Sequence, residues 1–179
     1  MKYYISDLHF GHENIIKHDN RPFSNIDEMD KTLIALWNGR VQKDDEVYIV
    51  GDFCFKSGKD PKWYLDQLNG IKYLIPGNHD EVILNDESLK EYFKDIDKLM
   101  TIKDGENRIV LCHYPLAEWD KMRKGSWLIY GHIHSHCDAT YFFMKNRERA
   151  LNAAATINNY MPVPFIELEK NNILFKEKN

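Results

Sequence analysis

Five times along this chain a short run of β-branched and aromatic residues breaks off into aspartate, asparagine or histidine. Residues 3–6 lead into Asp7 and His9, and 47–50 into Gly51 and Asp52. Residues 73–75 lead, through Pro76, into Gly77, Asn78 and His79; 109–112 into His113; and 127–130 into Gly131, His132 and His134. Runs of this length and composition are strands buried in a sheet. Between the early runs the apolar spacing changes to steps of three and four: Met29, Leu33, Leu36 and Trp37 mark a helix between Asp27 and Arg40, with Asp27 as its cap. Trp63, Leu65 and Leu68 mark a second helix from Pro61. Strands alternating with helices predict an α/β domain. Residues 99–102 and 108–111, joined across Asp104, Gly105, Glu106 and Asn107, predict a hairpin and therefore a mixed sheet.

In open α/β sheets ligands collect beyond the carboxyl ends of the strands, and every Asp, Asn and His cluster here stands at such an end. One shared site is expected. A glycine directly precedes Asp52, Asn78 and His132, which is read as letting the backbone turn sharply into a crowded centre. At 179 residues, 43% hydrophobic and 29% charged, the chain has the size of one domain spanning 1–179. It lacks an N-terminal leader pattern and a long apolar run, so a soluble, cytoplasmic protein with no membrane partner is expected. Cys54, Cys112 and Cys137 fit reduced thiols rather than a disulfide framework. A net charge of -4 disfavours a nucleic-acid partner, although Lys121, Arg123 and Lys124, with Arg147 and Arg149, form local basic clusters. Composition carries no signal for or against a homo-oligomer.

Asp7, His9, Asp52, Asn78, His113, His132 and His134 make seven oxygen and nitrogen ligands without a thiolate. Such a set suits Mn²⁺, the first expectation, or Fe²⁺, Zn²⁺, Ni²⁺ or Co²⁺. Seven exceeds what one ion takes from protein, so two divalent ions sharing a carboxylate are expected, with Asp52 placed to bridge. Two such ions against two carboxylates leave a positive site that attracts phosphate and can activate a water for in-line attack. His79, beside a ligand and surplus to the metal count, is the expected general acid, since imidazole titrates near neutrality. Asp80 is read either as orienting that imidazole or as capping a helix from Glu81.

In order, Ser-Asp-Leu-His at 6–9, Gly-Asp at 51–52, Gly-Asn-His-Asp at 77–80, His113 and Gly-His-Ile-His at 131–134 resemble the calcineurin-like metallophosphoesterase family. The resemblance implies one metal on Asp7, His9, Asp52 and His134, the other on Asp52, Asn78, His113 and His132, and His79 near the scissile phosphate. It also implies the family fold, two mixed β-sheets packed face to face with helices outside in four layers. Two departures weaken a protein-phosphatase reading. Gly51 to Lys56 lacks an Asp-Arg-Gly continuation, and Asp80 stands where glutamate is usual in those enzymes. The stretch from Phe10 to Ile16, with Arg21, Pro22 and Phe23, resembles a small bacterial or phage branch. Leu151 to Thr156 departs from the usual family pattern near the end of the chain.

His12, Asn14 and Arg21 are carried as substrate contacts, against the alternative that they cap a helix from Glu13 and pin its loop. Tyr114 and Lys56 are further candidates by proximity to the motifs, and His136 is read as supporting or exposed rather than a ligand. The leading expectation is hydrolysis of a phosphate ester, most simply a nucleotide-like phosphodiester. A non-catalytic metal-binding scaffold of the same fold and a nuclease are the alternatives.

Overall fold

The computed structural model describes residues 1–55 and 59–177. Strands β1 (Lys2–Ile5), β2 (Glu46–Ile49), β3 (Ile71–Leu74) and β4 (Phe93–Ile96) form one sheet in that order, and all three pairings are parallel. Strands β5 (Met100–Asp104), β6 (Asn107–Leu111), β7 (Trp127–Tyr130) and β8 (Ala150–Asn152) form a second sheet. There β5 and β6 are the expected hairpin, closed by Gly105 at φ 57°, while β6–β7 and β7–β8 run parallel. The second sheet is therefore mixed. The first is parallel through its four strands and gains an antiparallel bridge between Tyr4 and Val163.

The two-residue period of a strand decides which layer each side chain joins. In β1 and β2, Tyr3, Ile5, Val47 and Ile49 face a helical layer and pack with Met29, Leu33, Trp37 and Leu65. Tyr4, Tyr48 and Val50 face the other sheet and meet Ile109, Leu111, Ile129 and Leu151. On the far face of the second sheet Val110, Leu128 and Tyr130 pack with Tyr141, Met144 and Phe175. Helix, sheet, sheet and helix thus form four layers.

The helices are α1 (Glu13–His18), α2 (Ile26–Arg40), α3 (Pro61–Leu65), α4 (Glu81–Leu84), α5 (Glu87–Lys90), α6 (Ala139–Met144) and α7 (Phe165–Lys176). Helix α2 follows the apolar spacing and buries Met29, Leu33 and Trp37, each worth roughly 1.5–3 kcal/mol of hydrophobic stabilisation. Its cap is Asn25, whose side chain accepts from the Glu28 N–H, and not Asp27, which lies inside the first turn. Pro61 opens α3 as expected, behind an Asp60 cap.

Two elements at the back of the second sheet fix its active end. Asn172 of α7 is buried; it accepts from the Asn152 N–H at 2.7 Å and donates to the Asn152 carbonyl at 3.0 Å. Asn152 in turn donates to the His134 carbonyl at 2.8 Å. The departure at 151–156 therefore lies under the site: Ala153 and Ala155 exchange backbone hydrogen bonds with Ser6 and tie β8 to the end of β1.

Candidate active site

The five segments that carry the candidate ligands leave the carboxyl ends of β1, β2, β3, β6 and β7 and converge on one site. The His9 Nε2 lies 3.3 Å from the His134 Nε2 and 3.6 Å from the Asp52 Oδ2, and the His134 Nε2 lies 3.5 Å from the Asp7 Oδ1. The same Asp52 Oδ2 is 3.6 Å from the His113 Nε2. Asn78 Oδ1 sits 3.3 Å from the His113 Nε2 and 3.0 Å from the His132 Nδ1. Two donors each about 2.1 Å from one ion, at tetrahedral or octahedral angles, stand roughly 3–3.4 Å apart, so these spacings fit metal coordination. Asp7, His9, Asp52 and His134 form one buried four-donor group, whereas Asn78 and His132 are exposed.

The backbone around these residues is more strained than the sequence reading anticipates. Asp7, His9, Asp52, His132 and His134 themselves adopt left-handed φ, between 50° and 71°. Asp and His tolerate that region better than most residues, yet it still costs on the order of 1–3 kcal/mol at a non-glycine position. Of the three glycines read as turn-makers, only Gly51 has a positive φ, at 84°. Gly77 and Gly131 serve by lacking a side chain. A Cβ would meet the Asp52 Oδ1 at 2.3 Å from Gly77, and the Ser6 Oγ at 2.5 Å from Gly131.

Hydrogen bonds then fix which atom each ligand presents. The His113 Nδ1–H donates to the Val50 carbonyl at 2.9 Å and leaves Nε2 for the centre. The Nδ1 of His134 is held by the Asp19 Oδ2 at 2.7 Å, and Ser6 donates to the Asp7 Oδ2 at 2.6 Å. Burial, reinforced by neighbouring imidazoles and Arg21, pushes the His9 pKa well down, and burial lowers that of His132. Both rings are thereby kept neutral, the form that binds metal. At His134 burial acts downward too, but the Asp19 hydrogen bond and the Asp7 charge overcome it and the pKa rises. Burial raises the pKa of Asp52 despite the attraction of His113. Two carboxylates and four imidazoles so arranged, with their lone pairs converging, suit divalent cations.

His79 is half-buried on the open side, its ring 5.3 Å from that of His9, and its backbone N–H donates to the Asp52 Oδ1 at 2.9 Å. Asp80 does neither thing expected of it. Its carboxylate accepts from the backbone N–H groups of Asp52, Phe53 and Gly77, at 2.8, 2.9 and 2.8 Å, and it makes no side-chain cap on α4. It stitches the two ligand loops together, and burial pushes its pKa up to about 6 against those three donors.

His12 stacks on Phe55 at 3.9 Å and places its Nδ1 3.4 Å from the His9 Nδ1, so it flanks the cluster; burial, with His79 and Arg21 nearby, lowers its pKa to about 4. Asn14 is exposed on α1, and among the described residues its side chain makes no hydrogen bond to the cluster. The guanidinium of Arg21 is fully buried. It donates to the carbonyls of Asp7 and Leu8, both at 2.8 Å, and pairs with Asp19, so it pins the loop after β1, while α1 begins at Glu13 without a side-chain cap. Tyr114 is exposed with its ring edge-on to His132 at 4.8 Å. Lys56 lies outside the described residues.

Sequence reasoning missed Asp19 and Asp30. Asp30, buried on α2, accepts from Gly11 N–H at 3.0 Å and from the Tyr64 hydroxyl at 2.8 Å and anchors the loop before His12. Its place on the apolar face of α2, one residue after Met29, is the signal that was available.

A family model described as calcineurin-like phosphoesterase matches residues 3–134. The chain is 37% identical over 163 residues to an uncharacterized protein of Methanocaldococcus jannaschii, covering 90% of this chain and 85% of that one. It is 30% identical to the Gene 66 protein of a Mycobacterium phage, covering 74% and 77% of the two chains. Among solved structures, a protein of unknown function from Aquifex aeolicus superposes with a TM-score of 0.75 at 30% identity, over 95% of this chain and 98% of that one. No helix among the described residues is long and apolar enough to cross a membrane.

Proposed function

This chain belongs to the calcineurin-like phosphoesterase family, and from that premise we infer that it is a hydrolase of phosphate esters, phosphodiesters foremost, working with two divalent metal ions. Asp7, His9, Asp52 and His134 would hold one ion; Asp52, Asn78, His113 and His132 would hold the other. The observation that carries this reading is the position of the Asp52 Oδ2, 3.6 Å from ring nitrogens of both groups, His9 on one side and His113 on the other. Mn²⁺ is the first candidate, since the donors are oxygen and nitrogen throughout. Two ions bound there would supply Lewis acidity and lower the pKa of a bound water enough for it to serve as the nucleophile near neutral pH.

The protein's own groups do the rest. The Asp52 Oδ1 accepts from the backbone N–H of His79, so the carboxylate that would be shared by the two ions also places the acid. The imidazole of His79 gives its proton to the departing ester oxygen, a role worth roughly 10²–10⁴ in rate. Asn78, His132 and Tyr114 are exposed at the mouth, which leaves space for a second ester group. The basic residues at 121–124 and 147–149 come just before β7 and β8 in the chain, at the ends of those strands away from the site. That placement favours a small nucleotide-like diester over a long nucleic acid.

The test is hydrolysis of bis-p-nitrophenyl phosphate and p-nitrophenyl phosphate, side by side, by chelator-stripped protein with and without Mn²⁺. Turnover restored by metal, faster on the diester, is the expected result. Protein that holds two ions and turns over neither substrate would overturn the reading, and faster monoester turnover would reverse the preference.

A further inference from the structure

Asp19 belongs to none of the strand-end motifs, yet it is hydrogen-bonded directly to the ring of one of the candidate ligands, His134. It lies just past α1, its side chain has no exposed surface, and its Oδ2 receives three donors. These are the His134 Nδ1 at 2.7 Å, the Arg21 Nε at 3.1 Å and the Arg21 Nη2 at 2.9 Å. Its Oδ1 makes no good hydrogen bond among the described residues and has the His136 Nε2 3.3 Å away. Arg21 completes the arrangement by donating to the carbonyls of Asp7 and Leu8.

From this geometry we propose that Asp19, clamped by Arg21, is a positioning residue that orients the His134 imidazole toward the metal and locks that ring to the loop carrying Asp7 and His9. The physical reason is tautomeric and angular. With Nδ1–H donated to a fixed carboxylate, the lone pair of Nε2 faces the Asp7 Oδ1, 3.5 Å away, and the His9 Nε2. Because one guanidinium grips both Asp19 and the Asp7–Leu8 backbone, two ligand segments more than a hundred residues apart in sequence share one anchor. In the other candidate group the His113 ring is steadied instead by a backbone group, the Val50 carbonyl.

The inference rests on the two-metal reading, and its test separates the two. In an Asn78→Ala background, which weakens the second position, Mn²⁺ binding is measured by calorimetry with Asp19 intact and as Asp19→Asn. About ten- to hundred-fold weaker binding is expected from loss of such a partner. In the metal-free protein, at a pH alkaline enough to keep the ring neutral, nitrogen-15 NMR of His134 should show a single Nδ1–H form that becomes a mixture in Asp19→Asn, a signature that a purely structural role would leave alone. Should Asp19→Asn fail to fold, Asp19→Glu keeps the charge beside Arg21 while displacing the imidazole, and the same loss of affinity is expected. A folded variant that binds Mn²⁺ within two-fold of its parent and keeps the single NMR form would overturn the proposal. A native protein that binds no divalent ion would sink the metal reading instead.

Discussion

The two halves of the site are built differently. Asp7, His9, Asp52 and His134 are buried, and their surroundings hold them from behind: Asp19 on the His134 ring, Asn152 on its carbonyl, Arg21 on the Asp7 loop and Asp80 on the Asp52 loop. In the other half His113 is buried, but the side chains of Asn78 and His132 are exposed; they meet each other, His113 and the exposed Tyr114 ring, and only the His132 backbone N–H reaches back to Asp7. The difference teaches where order comes from. A ligand group sunk among satisfied polar partners is preorganised before any ion arrives, while an exposed one depends on the ion to order it.

The largest effect should come from the residue the halves share. Asp52→Ala removes the central oxygen and the acceptor for the His79 N–H together. Turnover is expected to fall by at least about 10³, beyond the 10²–10³ typical of losing one electrostatic donor, and metal analysis should no longer find two ions per chain. Retention of two ions by that variant would break the comparison, because the halves would then not share a ligand.

Next in size is a packing test. Gly51→Ala puts a Cβ 2.2 Å from the His113 Nδ1 at a residue whose φ is 84°, so both sterics and backbone oppose it. A loss of about 3 kcal/mol or more in denaturant unfolding is expected, with His113 displaced. The two halves are then separated directly by His134→Ala and His132→Ala in metal-free protein. The first leaves buried Asp19 without its shortest hydrogen bond and should cost roughly 1–3 kcal/mol; the second removes an exposed ring and should stay within about 0.5 kcal/mol. Equal losses would mean that the buried half is no better braced than the open one.

What could be read beforehand follows the same division. The convergence of these residues on one site was legible because each follows a strand-like run, and a run of apolar residues stopping at Asp, Asn or His is a local pattern. The braces were not, because they act over distance: Asp19 meets His134 across 115 positions, and Asn152 reaches the site through the His134 carbonyl and is itself held by Asn172. Helix α7 escaped notice since it buries Asn172 while exposing Ile166, Ile173 and Leu174, which blurs its apolar period. Strand β4 did so because Lys94 and Asp95 stand exposed on a sheet edge, and β8 because it is three residues long. The left-handed φ of five ligands has no local signature beyond their being Asp or His.

The smallest expected effect checks that the cost of altering glycine belongs to the site and not to glycine itself. Gly39 is exposed near the end of α2, where an added Cβ would meet nothing within 4 Å and φ is not positive. Gly39→Ala should therefore stabilise the protein, by up to about 0.5–1 kcal/mol, because alanine loses less backbone entropy in forming helix. The midpoint of thermal unfolding should rise by a few degrees with metal binding unaltered, the opposite sign to Gly51→Ala. If both substitutions destabilised alike, the penalty at Gly51 would have to be assigned to a general loss of glycine, and the close approach of its backbone to His113 would no longer explain it.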